Sequence, residues 1–285
     1  MRISVVVPFR DEEAHLAQCL AALAAQEGSD GVHEVVAVDD RSSDRSPEIV
    51  RGFPNVRLLT SAAPGPYAAR NLGVAETNGD VVAFTDGDCE PAPDWLARIA
   101  AAFDDPDVCI VLGNRHPAGD SFALGLLSAY DRAKEEYVFG ELRADLYYGL
   151  TSNLAVRRDA FDHVGPFAER RRGADTLFVR SLLDRRGTRA FVYSPDVRVR
   201  HLEIRRAADY YRKAFVYGRS MKPLDGVMSG RSLRTAERFE VWRSTVRREP
   251  FSRVLSAALL ALLGGGAACW ELGRLTAFVP SRRGR

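Results

Sequence analysis

Two carboxylates with one glycine between them follow a short apolar run in the first third of the chain. Asp86 and Asp88 come directly after residues 81–85, and Gly87 separates them. Oxygen ligands at this spacing suit a hard divalent cation, because Mg²⁺ and Mn²⁺ accept carboxylates and leave further positions for phosphate and water. A tight turn containing Gly87 explains an isolated match better, and only the surroundings favour the cation site.

Two other apolar runs also end in polar or acidic residues. The run 3–7 is followed by Pro8, Phe9, Arg10 and Glu12, and the run 34–38 by Asp39 and Asp40. Carboxylates at the end of a strand suit the ribose hydroxyls or base imino groups of a nucleotide. Taken singly, such residues are equally typical of helix caps and solvated turns.

The elements that position these residues alternate between strand and helix patterns. Short β-branched runs predict strands at 3–7, 34–38, 56–59, 81–85 and 109–112, with helices near 13–26, 46–51, 67–76 and 95–103. This alternation predicts an α/β fold with a Rossmann-like, mostly parallel sheet flanked by helices. Ligands of such sheets bind beyond the carboxyl ends of the strands, where the acidic residues fall. Later patterns predict helices at 124–137, 176–186 and 206–220, a strand at 151–156 and an extended segment at 190–201 broken at Pro195.

An ordered set of motifs over residues 1–220 resembles the family 2 glycosyltransferases, whose fold is called GT-A. The motifs are Val-Pro-Phe-Arg-Asp-Glu-Glu at 7–13, Val-Asp-Asp-Arg-Ser-Ser-Asp at 38–44, Ala-Arg-Asn-Leu-Gly at 69–73, Thr-Asp-Gly-Asp-Cys at 85–89, and Asp175 at the start of a predicted helix. Each motif has modest specificity, and the ordered set is specific.

The resemblance implies roles for individual residues. Asp88 would be the main ligand of Mg²⁺ or Mn²⁺, with Asp86 and His201 as further contacts, and Asp175 would be the catalytic base. The nucleotide sugar would be bound by Pro8, Phe9, Arg10, Glu12, Asp39, Asp40, Arg70, Asp86 and Gly87. Two alternatives stay open: His201 as a surface histidine in a basic stretch, and Asp175 as a helix cap. The family commonly has Glu before this Asp, and here Ala174 stands there, which puts acceptor recognition in doubt.

The resemblance also implies a mechanism. The enzyme would be inverting, with a single displacement in which Asp175 removes the acceptor proton and the metal stabilises the leaving diphosphate. The segment 210–220 resembles non-processive members, and the Gln-x-x-Arg-Trp signature of processive synthases is absent, so we expect one sugar per encounter. The donor would be a UDP- or GDP-sugar, and the acceptor stays open between a lipid-linked and a small-molecule compound.

Charge divides the chain unevenly. Residues 1–195 carry 21 Lys and Arg against 30 Asp and Glu, and residues 196–285 carry 19 against 8. Within the basic part, residues 254–270 form an uncharged run that includes three consecutive glycines, which are tolerated better in membrane segments than in soluble helices. A membrane hairpin, a short span and a helix packed on the main domain all fit this run, although Glu271 and Arg274 count against a simple span. We expect a membrane surface as partner and no nucleic acid.

The organisation predicted is a catalytic domain over 1–220, with a nucleotide-binding half to about 115 and an acceptor half from about 116. A basic region follows over 221–285, with an apolar helix near 253–279. The first apolar run is too short for a secretory signal, and the four cysteines lack metal-ligand spacing. These features indicate a cytoplasmic protein, attached to the inner face of the cell membrane if the apolar run inserts.

Two rival functions remain. A sugar nucleotidyltransferase also presents acidic metal ligands on such a sheet, but it should carry a basic, Gly-rich loop after its first strand, and residues 8–13 are acidic and lack glycine. A non-catalytic member that binds nucleotide sugar, glycan or lipid is the other rival, and Ala174 favours it.

Overall fold

The structure is a computed structural model, which describes residues 1–27, 33–140, 143–170, 172–220 and 231–276. Its strands are β1 (Ile3–Phe9), β2 (His33–Asp39), β3 (Val56–Thr60), β4 (Val81–Thr85), β5 (Cys89–Pro91), β6 (Ile110–Pro117), β7 (Asn153–Arg157) and β8 (Phe191–His201). They form one sheet in the order β3-β2-β1-β4-β7-β6-β8-β5.

Strand directions differ between the two halves of this sheet. The pairs β1–β2, β1–β4, β2–β3 and β6–β8 are parallel. The strand β7 runs antiparallel to β4 and β6, and β5 runs antiparallel to β8. The predicted Rossmann-like α/β fold is therefore confirmed, with a parallel first half joined through β7 to a mixed second half.

Helices lie against this sheet and continue beyond it. They are α1 (Leu16–Ala24), α2 (Ser46–Arg51), α3 (Pro66–Ala75), α4 (Trp95–Ala102), α5 (Phe122–Phe139), α6 (Asp159–Val164), α7 (Ala174–Arg186), α8 (Ala207–Ser220), α9 (Thr235–Arg248) and α10 (Arg253–Thr276). The bounds of the predicted helices agree with these to within a few residues.

Hydrophobic cores cover both faces of the sheet. Side chains alternate along a strand, so Val6 of β1 packs with Phe84 in one core, whereas Val5 and Val7 pack with Leu16 in the other. All five of these side chains are fully buried, and each contributes about 1.5–3 kcal/mol to folding. Because both faces are covered, the carboxyl-end loops are where polar side chains can face a ligand.

The second half of the sheet differs in detail from the prediction. The strand predicted at 109–112 continues to Pro117, because β8 pairs with it on both sides of a register shift between Gly113 and Asn114. Pro195 lies at that shift, between the paired residues Ser194 and Arg198. Proline has no N–H to donate, and no ladder hydrogen bond is needed at this position. The sequence analysis did not predict β5, which has only three residues, or α9, whose composition is strongly polar.

Close helix packing attaches α10 to α8. A side chain at Gly218 would overlap the backbone of Trp270, and one at Gly273 would overlap the backbone of Phe215, so both positions require glycine. On its other side α10 packs on α5 and α9 through a small core of Leu126, Tyr130, Ala133, Val241 and Leu259.

The helix α10 is also apolar on its free surface. Its most apolar 18-residue window has a mean hydropathy of 1.6, and 11% of that window is buried. By length and composition this helix could cross a membrane, but a single helix of this kind is weak evidence for a membrane span. The apolar helix was predicted near 253–279, and residues 277–279 lie outside the described residues.

Candidate active site

The loop after β1 is held in place by the loop after β2. The Glu12 N–H donates to Ser46 Oγ (2.8 Å), and the Glu13 N–H donates to Asp44 Oδ2 (3.0 Å). A Cβ added to Gly87 would lie 3.2 Å from Phe9 Cβ, so the loop after β4 approaches the end of β1 closely. These contacts bring Glu12 beside the Asp-Gly-Asp motif.

The two acidic residues after β2 are buried and already hydrogen-bonded. Asp39 Oδ1 accepts from the Ser42 N–H (2.8 Å), and Asp40 Oδ1 accepts from the Gly65 N–H (2.8 Å). Gly65 precedes α3 with a φ of 120°, a conformation that favours glycine. Asp40 therefore ties the end of β2 to the start of α3, and α3 carries Arg70 into the site.

Asp88 and His201 meet because β5 pairs with β8. Cys89 lies opposite His201 in that ladder, which brings His201 Nδ1 to 3.4 Å from Asp88 Oδ2. His201 is only 3% exposed, and its Nδ1 has no hydrogen-bond partner within the part of the chain that the structure describes. Burial and the nearby charges of Lys213 and Arg115 lower the pKa of His201 to about 3, so the imidazole is neutral. The alternative of a surface histidine is wrong.

Three carboxylates converge beside this histidine, and we call them the acidic cluster: Glu12, Asp88 and Glu203. One oxygen from each lies within 4.8 Å of the others. Burial, followed by the charges of Asp88 and Glu203, raises the pKa of Glu12 to about 8. Anionic groups this close together favour either protonation or a bound cation.

The donor set fits a divalent cation with oxygen preference. Asp88 offers oxygen to such an ion, and His201 offers a buried, unpartnered ring nitrogen. Cys89 also lies near both, and burial raises its pKa well above the ordinary value, which disfavours the thiolate when no cation is bound. Among the described residues, two sets of ligand atoms lie close together: Asp88 with Cys89 and His201, and the acidic cluster. Asp86 belongs to neither set.

Asp86 is paired with Arg70 instead. Arg70 Nη2 lies 2.5 Å from Asp86 Oδ1, and the guanidinium lies 5.2 Å from the centre of the Tyr67 ring. Arg70 is 5% exposed, and its Nε has no hydrogen-bond partner among the described residues. A buried guanidinium with an unused donor is suited to an anionic ligand.

Asp175, in the first turn of α7, is close enough to Arg70 to interact with it electrostatically. Its Oδ1 accepts from the Thr176 N–H (2.8 Å) and its Oδ2 from the Thr151 N–H (3.3 Å). Burial raises its pKa above the ordinary value, although these N–H groups, Arg70 and a hydrogen bond from Tyr67 act to lower it. Gly173 before α7 adopts a left-handed conformation with a φ of 80°. The site thus holds a buried carboxylate that is both hydrogen-bonded and a better base than an exposed one.

The other residues predicted for the nucleotide lie near the same edge of the sheet. Pro8 and Phe9 are buried at the end of β1, paired in register with Val38 and Asp39. Arg10 is exposed and lies 3.7 Å from Asp11. Glu12, predicted for the nucleotide, joins the acidic cluster.

Sequence analysis missed Glu203, Lys213 and Tyr67 at this site. Glu203 follows His201 by two residues, Tyr67 lies on α3 one turn before Arg70, and Lys213 lies in the predicted helix 206–220. The position of Lys213 depends on how α8 returns to β5, which no local pattern encodes.

A small cavity next to His201 is lined by residues of β6, α5 and α8. It has a volume of about 50 Å³, room for a few water molecules, and is lined in part by Arg115, Asp131 and Tyr210. Asn153 is a packing residue: it accepts from Trp95 Nε1 (2.8 Å) and donates to the Val197 carbonyl (2.9 Å).

Comparison with known proteins is consistent with this arrangement. Residues 4–165 match the family described as Glycosyl transferase family 2. Glycosyltransferase AglE of Haloferax volcanii is 33% identical over 173 residues, which cover 58% of this chain and 55% of that protein. The chain spans about half the length of the curated relatives it matches.

Solved structures share the fold. The mannosyltransferase PcManGT from Pyrobaculum calidifontis, in complex with GDP-Man and Mn²⁺, has a TM-score of 0.56 at 20% identity, covering 97% of this chain and 72% of its own. Glucosyl-3-phosphoglycerate synthase from Mycobacterium tuberculosis, in complex with Mn²⁺ and UDP-glucose, has a TM-score of 0.52 at 20% identity, covering 79% and 81%. The family match spans more than half of the chain, and the motifs that carry it meet at one edge of the sheet. The chain belongs to glycosyl transferase family 2.

Proposed function

We propose that this chain transfers one sugar, with inversion, from a UDP- or GDP-sugar to an acceptor hydroxyl, and that it depends on Mg²⁺ or Mn²⁺. The observation that carries the proposal is a set of interacting side chains: the acidic cluster and His201 interact electrostatically with Asp86, Asp86 pairs with Arg70, and Arg70 interacts with the buried carboxylate of Asp175. Cation ligands, an anion-binding guanidinium and a candidate base are the groups that such a reaction needs. Residues 1–220 form the catalytic domain in this proposal, with its donor half up to about residue 115.

Asp88 and His201 would hold the cation, with Glu12 and Glu203 close enough to contribute an oxygen or to bind its waters. When bound, the cation stabilises negative charge on the leaving diphosphate. Both solved structures named above contain Mn²⁺ together with a nucleotide sugar, which supports this assignment. Asp86 would act through Arg70, orienting the guanidinium toward the donor.

Asp175 would accept the proton of the acceptor hydroxyl. Its backbone hydrogen bonds fix the orientation of the carboxylate, and burial raises its pKa toward the range useful for a base. Arg70 pairs with Asp86 and interacts electrostatically with this carboxylate, so one residue would connect the base with the donor's phosphate. Attack from the Asp175 side would displace the diphosphate on the opposite face, which is inversion.

A membrane surface is the partner that α10 supports. Its exposed residues recur at helical spacing and are mostly apolar, among them Leu260, Gly264, Ala268 and Leu272. Exposed arginines of α9, Arg243 and Arg247, lie next to it in sequence and suit anionic headgroups. Because the opposite face of α10 packs on α8, we infer that it lies in the membrane interface, on the cytoplasmic side, within reach of a lipid-linked acceptor.

A screen of nucleoside diphosphates and their sugars tests the proposal. We expect UDP or GDP to raise the melting temperature more with Mn²⁺ than without it, and one sugar nucleotide to release its nucleoside diphosphate when an acceptor is added. Donor binding without transfer to any lipid-linked or small-molecule acceptor would favour a binding protein instead of an enzyme.

A further inference from the structure

The ammonium group of Lys213 lies among the atoms that would hold the cation. Its Nζ is 3.4 Å from Asp88 Oδ2 and 2.9 Å from Glu203 Oε2. It is also 2.5 Å from His201 Nε2, the ring nitrogen opposite the unpartnered Nδ1. One positive charge therefore already contacts two carboxylates and the histidine of the proposed metal site.

The position of Lys213 is built into the fold. Its side chain is 22% exposed, whereas Arg212 and Arg219 on the same helix face solvent. The helix α8 is fixed by its close contact with α10 at Gly218, and the Tyr211 hydroxyl donates to the Leu262 carbonyl (3.1 Å). Rotation of α8 is therefore restricted, and Lys213 is directed toward β5 and β8.

An ammonium group and a divalent cation cannot both contact Asp88 at these distances without strong repulsion. Two like charges about 4 Å apart repel strongly in a partly buried site, and a double charge increases the repulsion. The long side chain of Lys213 can instead turn away from Asp88 by rotation about its own bonds. The nearest new anion would then be the diphosphate that the cation binds.

We propose that Lys213 occupies the cation's position while the donor is absent and transfers its contact to the donor's diphosphate when cation and nucleotide enter together. This inference rests on the proposed function, since it needs a divalent cation at Asp88. Lys213 would weaken the binding of the cation alone. Cation and nucleotide would bind cooperatively, because the cation displaces Lys213 from Asp88 and the diphosphate gives the displaced ammonium group a new anionic partner. Lys213 would also neutralise charge on the leaving group.

The test measures Mn²⁺ binding without nucleotide, by isothermal titration or by the electron paramagnetic resonance signal of free Mn²⁺. We expect Lys213→Met to bind Mn²⁺ at least about tenfold more tightly than the wild type, since the competing charge is gone. Arg212→Met removes an exposed charge from the same helix and should leave Mn²⁺ binding within about twofold. Lys213→Arg keeps the charge and should stay close to the wild type. Equal Mn²⁺ binding by Lys213→Met and the wild type would overturn the inference.

A second measurement uses the unaltered chain, so it does not depend on a variant folding. The lysines of the chain are Lys134, Lys213 and Lys222, which makes acetylation mass spectrometry simple to assign. Mn²⁺ alone should increase labelling of Lys213 relative to Lys134, and subsequent addition of UDP or GDP should reduce it. Unchanged labelling of Lys213 on adding Mn²⁺ would contradict displacement.

The two proposals fail differently. Equally tight Mn²⁺ binding by the wild type and Lys213→Met overturns this inference but not the proposal of a metal-dependent transferase. Absence of Mn²⁺ binding in the wild type and in Lys213→Met, both without nucleotide and with UDP or GDP, overturns both.

Discussion

Replacing Asp175 with Asn removes a proton acceptor while keeping nearly the same shape. Asn retains one carbonyl oxygen, so it can accept from Thr176 or Thr151 but not from both. One buried N–H left without a partner costs about 1–3 kcal/mol. Loss of a buried negative charge offsets part of this cost, because the raised pKa of Asp175 means that its ionisation opposes folding at neutral pH.

The free energy of unfolding should therefore change by about 1–2 kcal/mol, in either direction. This corresponds to a shift of a few degrees in melting temperature. Turnover should fall by at least about 100-fold, since positioned general bases contribute 10²- to 10⁴-fold. A 100-fold loss corresponds to about 2.7 kcal/mol in the transition state, and it should appear in kcat while the donor's Kd stays nearly constant.

The pH dependence of turnover gives an independent test of Asp175 as the base. A base must be ionised to act, and burial raises the pKa of Asp175. Wild-type turnover should thus decrease as the pH falls through a value above the ordinary range of an Asp carboxylate, about 3.9. The acid limb of this profile should be missing in the residual activity of Asp175→Asn.

The assay is donor turnover with the best acceptor from the screen, run beside a melting curve on the same preparation. Asp159→Asn is the matched control, because Asp159 is also an acidic residue in a first helical turn and is exposed. Full turnover by Asp175→Asn with a native melting curve would show that Asp175 is a helix cap, and the base would have to lie elsewhere.

Three further mutagenesis experiments test other parts of the structure. Glu12→Gln should raise the melting temperature by several degrees at pH 8.5 and not at pH 4. With a Glu12 pKa of about 8, the free energy of unfolding decreases as the pH rises from about 4.5 to 8, and the substitution removes this decrease. An equal effect at both pH values would refute this. Gly218→Ala should lower stability by about 1–3 kcal/mol through overlap with α10, whereas Gly264→Ala, with open space around it, should not; equal melting curves would contradict the packing described. The pair Leu260→Glu and Leu272→Glu, both at exposed positions, should reduce sedimentation with anionic liposomes at unchanged melting temperature, and unaltered sedimentation would remove α10 as the membrane contact.

The fold of the first half could be predicted because its signals are local. Buried parallel strands produce continuous β-branched runs such as the one in β1, and these runs end where the sheet ends. The motifs at those ends therefore fall on one edge. The mixed second half was less accessible: β5 is a three-residue strand whose partner β8 lies more than a hundred residues later, and β8 contains a proline.

The site could be predicted only as far as its motifs extend. Asp88 and His201 were paired by resemblance, and the β5–β8 ladder accounts for their contact. Glu203 and Lys213 carry no motif. Glu203 lies two residues after β8, and Lys213 reaches the site because α8 folds back and is fixed by α10. The ion pair of Asp86 with Arg70 also escaped prediction, since the two residues lie in separate motifs.

The most direct test of the central claim is the melting temperature with UDP and GDP, with and without Mn²⁺, for the wild type and Asp88→Asn. At a nucleotide concentration about 100 times its Kd, binding stabilises the native state by about 2.7 kcal/mol, a shift of about 5–10 °C. We expect that shift for one nucleotide with Mn²⁺ in the wild type and in Asp104→Asn, an exposed control, and its loss in Asp88→Asn. The same Mn²⁺-dependent shift in Asp88→Asn would contradict the assignment of this site.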